Sequence, residues 1–103
     1  MLHVIQLLLP LYTDDQPAVP ADDLHAMVKA ELTRHFGRCI AHKRSPAGGR
    51  WLEGDLGRHD EIVIYEVMSH LLDAQWWDWY EKALQARFHQ REVLIRTLPL
   101  ASL

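Results

Sequence analysis

Two stretches of this sequence are apolar on both of the faces that an extended chain presents. Residues 2–12 are almost continuously apolar, and residues 61–68 contain apolar side chains on both alternating sets. Runs of this kind are typical of strands in the middle of a sheet, where both sides are covered. Pro10 lacks a backbone N–H and is expected at the end of its strand or at a bulge. The pattern predicts two central strands, the first and the third of the chain.

Two further segments have the periodicity of amphipathic helices. The first begins near Pro20 and ends before Gly37, a residue type that commonly follows the last turn of a helix. The second extends from about Asp73 to Gln90. Each helix has one apolar stripe with about one residue per turn. The stripes are Leu24, Val28, Leu32 and Phe36 in the first helix, and Trp77, Tyr80, Leu84 and Phe88 in the second.

The remaining strands are shorter or more polar. We expect an edge strand at Cys39–Arg44 and a short hairpin arm at Arg50–Glu53. A last strand is expected at Glu92–Leu98, and it ends before Pro99. The order is strand, helix, strand, strand, helix, strand, and two βαβ halves with right-handed crossovers predict a ferredoxin-like βαββαβ sandwich. We therefore expect a single α+β domain over residues 1–103, with a four-stranded antiparallel sheet in the order 4-1-3-2 and both helices on one face.

The side of the sheet that the helices leave uncovered, hereafter the open face, is predicted to be mostly apolar. Alternation along each strand assigns to it the sets that contain a polar residue. Its polar members are expected to align across the sheet as Arg96, Gln6, Glu66 and then Arg44 or His42, and its apolar members are Val4, Leu8, Ile62, Ile64, Met68, Leu94 and Leu98. Such a surface is rarely left in water, and a two-fold copy of the same chain commonly covers it. The sequence predicts a homodimer through the open face.

Glu66 is a carboxylate in the middle of an otherwise apolar strand. An unpaired buried charge is costly, so Glu66 is expected to pair with Arg96 or Arg44, or to be protonated with a raised pKa. A functional role at this position is a general acid or base, or an anchor for a ligand's hydrogen-bond donor. A structural role is an ion pair that fixes the register of the dimer. His42, on the same face, could act as a base. The predicted catalytic residues are Glu66 and His42, and the structural role stays open beside them.

The chain is one small domain that combines three features. They are the strand Val4–Leu9, the strand Ile62–Met68 and the aromatic-rich helix from Trp76 to Phe88. In topology and size the whole chain resembles the dimeric α/β-barrel superfamily of small bacterial proteins, which includes antibiotic-biosynthesis-monooxygenase-like, EthD-like and muconolactone-isomerase-like proteins. The resemblance implies a homodimer with a pocket between sheet and helices for a small aromatic or polyketide-like molecule. The predicted ligand-binding residues are Gln6, Arg44, Trp51, Tyr65 and Arg96.

Composition narrows the classes of function. The net charge is -3 with neutral histidines, and no basic stripe is present, so no nucleic-acid binding is predicted. The seven histidines lack the spacing of a zinc site, and neither a metal nor another cofactor is predicted. The first apolar run is too short to span a bilayer and lacks the flanks of a signal peptide, so no membrane association is expected. The single cysteine, Cys39, excludes an internal disulfide and fits a reducing cytoplasm.

Two functions remain after these exclusions. One is binding or cofactor-free conversion of a small apolar or aromatic molecule in a pocket beside the sheet, with the polar residues of the open face as its contacts. The other is a non-catalytic homodimeric interaction module, in which the same side chains only satisfy one another. Whether the chain is an enzyme stays open at this point, and substitution of Glu66 is the experiment that separates the two functions.

Overall fold

Six regular elements make up the part of the chain that the computed structural model describes, residues 2–11, 21–44, 62–90 and 92–100. In chain order they are β1 (His3–Pro10), α1 (Ala21–Phe36), β2 (Ile40–Arg44), β3 (Ile62–Ser69), α2 (Ala74–Phe88) and β4 (Leu94–Pro99). The predicted hairpin arm Arg50–Glu53, with Trp51, lies outside the described residues, and so does the side chain of Arg44. The predicted helices and the other predicted strands are present, with ends that differ from the prediction by no more than two residues.

The four strands form one antiparallel sheet in the order β2-β3-β1-β4, which is β4-β1-β3-β2 when it is read from the other edge. β1 and β3 are the central strands, as their apolar patterns predicted, and β2 and β4 are the edges. Pro10 is the last residue of β1, where the lack of a backbone N–H interrupts the ladder least. The α+β class and the four-stranded antiparallel sheet with two helices are confirmed.

Both helices end at a residue with positive φ. Gly37 follows α1 with φ 84°, and its N–H donates to the Thr33 carbonyl at 2.7 Å. His89 follows α2 with φ 55°, and its N–H donates to the carbonyl of Gln85. At the other end of α2, the side chain of Asp73 accepts the N–H of Trp76 at 3.1 Å. Neither of these two helices is long and apolar enough to cross a membrane.

Both helices pack on the same side of the sheet. Alternate residues of β1 and β3 face them and form one continuous core with the two helical stripes. The core consists of Ile5, Leu7, Leu9, Val63, Tyr65 and Val67 from the central strands, Leu24, Val28 and Leu32 from α1, Tyr80, Leu84 and Phe88 from α2, and Val93 just before β4. Each of these residues is at most 4% exposed. The opposite alternating set is therefore left for the open face.

A partly buried ion pair joins the two helices. Arg87 of α2 donates to both carboxylate oxygens of Glu31 on α1, with Nη1–Oε1 at 2.5 Å and Nη2–Oε2 at 3.0 Å. The Tyr80 hydroxyl also donates to Glu31 Oε1, at 3.1 Å. The hydrogen bonds from Arg87 lower the pKa of Glu31, and burial raises the pKa of Tyr80. The forked guanidinium thus fixes the relative position of α1 and α2 at the surface of the core.

Candidate functional site

Four polar side chains form a continuous hydrogen-bonded row across all four strands of the open face, hereafter the polar row. Arg96 on β4 donates from Nε to Oε1 of Gln6 on β1 at 2.6 Å. Gln6 donates from Nε2 to Oε2 of Glu66 on β3 at 2.6 Å. Nε2 of His42 on β2 lies 2.8 Å from Glu66 Oε1. The order of the row is the predicted one, with His42 beside Glu66.

The pairing of the strands explains why these side chains meet. Gln6 lies opposite Glu66 in β3 and opposite Arg96 in β4. His42 lies opposite Ile64, two positions before Glu66 on the same face of β3, so its ring contacts Glu66 diagonally. Side chains alternate across a strand, and these four residues belong to the set that faces away from the helices.

The amide of Gln6 gives the polar row a direction. A guanidinium only donates hydrogen bonds and an ionised carboxylate only accepts them, so the amide oxygen must face Arg96 and the amide nitrogen must face Glu66. His42 must carry a proton on Nε2 to donate to Glu66. Donors therefore point toward Glu66 from both sides, and the carboxylate is the acceptor on which the row converges.

The predicted direct pair between Glu66 and Arg96 is wrong. The two residues are separated by β1, which puts them about 10 Å apart at the usual spacing of strands, and Gln6 bridges the gap. Among the described residues, the ionisable side chain that contacts the carboxylate is His42. The side chains of His42 and Glu66 are 40% and 27% exposed, so the pair is half-buried and accessible. The alternative partner, Arg44, has its side chain outside the described residues.

A cavity of about 180 Å³ lies beside Glu66. Most of its walls are apolar, and Arg38, between α1 and β2, is its second charged residue. It is lined by Val4, Phe36, Arg38, Ile40, Glu66, Val67 and Met68. This volume is below the range of about 300–1,000 Å³ that is usual for small-molecule sites. One protomer therefore offers room for a small molecule, or for part of a larger one.

The apolar part of the open face is divided between buried and exposed residues. Leu8, Ile62 and Ile64 are 1%, 1% and 5% exposed and form a small cluster on the two central strands. The expectation of an uncovered apolar face is therefore wrong for these three. Met68 and Leu98 are 52% and 46% exposed. The exposed apolar residues that flank the polar row are Ile40, Met68, Leu94 and Leu98.

Tyr65, a predicted ligand-binding residue, lies on the opposite side of the sheet and is 2% exposed. Its hydroxyl is 2.6 Å from Nδ1 of His25, and Nε2 of His25 is 2.9 Å from the carbonyl oxygen of Pro10. A carbonyl only accepts, so Nε2 carries the proton and Nδ1 accepts from the hydroxyl. Burial lowers the pKa of His25 and raises that of Tyr65. Tyr65 is thus the buried partner of a neutral histidine, away from the polar row.

The aromatic residues at the start of α2 pack on the end of α1. Trp76 stacks on His35, with 4.1 Å between ring centroids and 9° between ring planes. Trp77 stacks on Phe36, with 5.4 Å between centroids and 16° between planes. Trp79 is the exposed member, at 58%. Packing between the helices accounts for Trp76 and Trp77, and none of the three contacts the polar row.

Neither a reactive thiol nor a metal site is found among the described residues. The Cys39 thiol is partly buried, and burial raises its pKa, which reduces the thiolate fraction that a nucleophile needs. Within the described ranges, no group of three or more His, Cys, Asp and Glu side chains could hold a metal ion. The polar row and the cavity beside it are therefore the candidate site.

Four residues of the cavity were not predicted from the sequence: Val67, Phe36, Arg38 and Ile40. The last three surround Gly37, whose positive φ turns the chain from α1 toward β2. The signal for these residues in the sequence was Gly37, which indicated a turn after the helix. It did not indicate which strand the turn would lie beside. Comparison with protein-family models, with curated proteins and with solved structures gives no match.

Proposed function

We propose that this protein is a homodimer that binds a small, mostly apolar molecule through a hydrogen-bond donor placed beside Glu66. The observation that supports the proposal is the convergence of the polar row on Glu66, at the wall of a mostly apolar cavity. In this proposal the fold is a ferredoxin-like sandwich of the dimeric α/β-barrel type, which agrees with the strand order and with both helices packing on one side.

Glu66 is the group that accepts the donor of the bound molecule. In this proposal a ligand O–H or N–H donates to the carboxylate beside the bonds from Gln6 and His42. When that ligand group is acidic, Glu66 can take its proton as a general base, and the negative charge is left on the ligand. Arg38 in the same cavity suits an acidic substituent on the ligand. This acid–base step needs no cofactor.

In the proposed homodimer, a second copy of the chain covers the exposed apolar residues of the open face. Ile40, Met68, Leu94 and Leu98 flank the polar row and are 37–52% exposed in one protomer. The same face of another protomer presents the same mixture of apolar side chains around a polar row, which is the self-complementarity that a two-fold interface requires. Covering the face would also enlarge the cavity wall beside Glu66 toward the usual pocket size.

Glu66→Gln tests the binding site. With 4-nitrophenol and 4-nitroaniline as probes, each a small aromatic molecule with one kind of donor, we expect wild-type binding and a roughly tenfold loss in the variant, as for one charge-assisted hydrogen bond. An amide at this position also presents N–H₂ where the polar row needs an acceptor. The matched control is Glu92→Gln, which changes an exposed carboxylate before β4. Absorbance titration measures binding, and sedimentation equilibrium measures the dimer in the same samples.

The second function, an interaction module without a ligand, is favoured by one observation. Both oxygens of Glu66 already accept hydrogen bonds within the chain, so the polar row is satisfied as it stands. For a module, Glu66→Gln weakens the dimer and neither protein binds the probes. Loss of probe binding from an intact dimer supports the first function, and a wild-type protein that binds neither probe contradicts it.

A further inference from the structure

We propose that the two protomers are related by a two-fold axis that runs parallel to the strands above Gln6, so that Arg96 of each protomer lies against the partner's Glu66. The proposal rests on the homodimer through the open face proposed above and specifies its geometry. Each candidate site then contains one residue of the second chain, and the site is incomplete in a single protomer.

The charges of the polar row are arranged asymmetrically. Glu66, Gln6 and Arg96 occupy the neighbouring strands β3, β1 and β4 at one level of the sheet. A negative group, a neutral amide and a positive group therefore lie in line, separated by the strand spacing of about 4.8 Å. Gln6 is the midpoint, so a half-turn centred on it exchanges the positions of the two charges.

Two sheets that face each other can be related by an axis that lies between them, along the row or along the strands. An axis along the row sets each residue of the row opposite its own copy, so Arg96 faces Arg96 and Glu66 faces Glu66. An axis along the strands above Gln6 reverses the row, and each Arg96 faces the partner's Glu66. Like charges opposed across an interface are strongly disfavoured, and the polar row therefore selects the axis along the strands.

The exposed apolar residues fit the same axis. Met68 on β3, Val4 on β1 and Leu98 on β4 share the next level of the open face. The half-turn that exchanges the charges places Leu98 against the partner's Met68, and these two are the side chains with 46% and 52% exposure. The axis along the row would instead place this level over the level of Ile64, Leu8 and Leu94, of which only Leu94 is exposed, at 37%. Met68 would then face a residue that is already buried and gains little from a partner.

Arg96 has donors that suit a partner of this kind. The residue is exposed, and its Nε is bonded to Gln6, but among the described residues no side chain accepts from its two Nη groups. A carboxylate is a strong acceptor for a guanidinium N–H, and one such bond to the partner's Glu66 suffices to join the two protomers. In the dimer, Arg96 therefore adds a cation to the surroundings of Glu66, near Arg38 and His42, and an acidic ligand is favoured more by the assembled dimer than by one protomer.

Arg96→Gln gives opposite results for the two axes. With the axis along the strands it removes two attractions between protomers, and the dissociation constant of the dimer rises roughly tenfold at low salt. With the axis along the row it removes a repulsion, and the dimer becomes tighter. The matched control is Arg34→Gln, which removes an exposed cation from α1 and leaves the dissociation constant unchanged. Sedimentation equilibrium measures all three proteins.

Exchange of the two charges is the second test. Arg96→Glu sets carboxylates against each other and weakens the dimer more than Arg96→Gln does. Combined with Glu66→Lys in the same chain, it restores opposite charges at each contact, and the dissociation constant returns to within about threefold of the wild-type value. With the axis along the row, the double variant opposes like charges and shows no recovery. Circular dichroism checks that each variant is folded.

The outcomes separate this inference from the proposal beneath it. A dimeric wild-type protein that Arg96→Gln leaves unchanged or tightens overturns the axis and leaves the homodimer in place. A wild-type chain that stays monomeric up to roughly 1 mM overturns both. Where Glu66→Lys does not fold, the direction of the Arg96→Gln effect decides alone.

Discussion

Both ring nitrogens of His25 are occupied inside the fold, by the Tyr65 hydroxyl and by the Pro10 carbonyl. Phe88 contacts the ring edge-on, with 5.1 Å between centroids. A proton on Nδ1 would remove the nearer acceptor of the tyrosine hydroxyl and leave the His25 carbonyl at 3.3 Å. It would also place a charge in a partly buried environment. The neutral imidazole is therefore part of the folded structure, and burial lowers the pKa of His25.

Acidification is expected to destabilise the protein through His25. The pKa is lowered in the folded chain from its ordinary value of 6.5, so the unfolded chain binds the proton first. The contribution of the neutral ring is complete above that value and is lost as the pH falls below it. Urea unfolding at about pH 7.5 and about pH 5.5 measures the loss.

His25→Gln is the control for this prediction, because it removes the titrating ring. The variant should be less stable at the higher pH, by about 1 kcal/mol for the lost hydrogen bonds, and should lose less stability on acidification than the wild type. An equal loss in both proteins would show that His25 does not carry the effect.

The contacts of His25 could not be predicted from its position in the sequence. The apolar stripe of α1 shows which side of the helix faces the sheet but does not identify the strand residue beneath it. A buried tyrosine hydroxyl requires a partner, yet the partners of Tyr65 and Tyr80 are 40 and 49 residues away in the chain. The polar row was predictable because strand order and alternation alone bring its residues to one side of the sheet.

The two helices end in the same backbone conformation but with different residue types. Each has a left-handed residue just after its last turn, a glycine in α1 and a histidine in α2. A side chain in this conformation costs roughly 1–2 kcal/mol relative to glycine, because Cβ approaches the carbonyl oxygen that follows. The backbone N–H of His89 is nevertheless bonded to Gln85, which keeps the conformation in place.

Opposite effects are expected from substitutions at these two ends. Gly37→Ala should destabilise the protein by about 1 kcal/mol, although nothing lies within 4 Å of the added Cβ, because the cost is in the backbone. His89→Gly should stabilise it by up to about 1 kcal/mol. Chemical denaturation measures both, and a change of the same sign in the two variants would contradict the explanation.

The helices and strands could be predicted from the sequence, but the residues at which they begin and end were predicted less accurately. β4 was predicted from Glu92 but begins at Leu94, opposite Leu8 of β1. Two residues further along β1 is Pro10, which has no N–H to extend the ladder. The start of one strand therefore depends on a proline in another, and that dependence is visible only when the pairing is known.

At the scale of the whole molecule, alternation predicted which residues share the open face but could not predict how much of that face one protomer buries. Leu8, Ile62 and Ile64 have the same pattern in the sequence as the exposed residues of the face, yet they are nearly inaccessible. The surface that remains for a partner is therefore narrower than predicted. It is centred on the polar row and on the level of Met68, Val4 and Leu98.

The proposed dimer makes thermal stability depend on protein concentration. Association stabilises the folded chain by mass action, so Tm should rise by several degrees between about 10 µM and about 200 µM protein. Scanning calorimetry measures the shift. Arg96→Glu, which should be mostly monomeric at both concentrations, is expected to have nearly the same Tm at each. A wild-type Tm that does not change over this range would contradict the dimer.

The polar row also has a consequence for how the chain reaches its folded state. If β1 slipped by one residue against its neighbours, Gln6 would turn into the core and an isoleucine or leucine would turn outward. Hydrogen bonds on one side of the sheet and apolar packing on the other would be lost together. Misaligned pairings are therefore disfavoured twice, so a single glutamine helps this small sheet discriminate against wrongly paired intermediates.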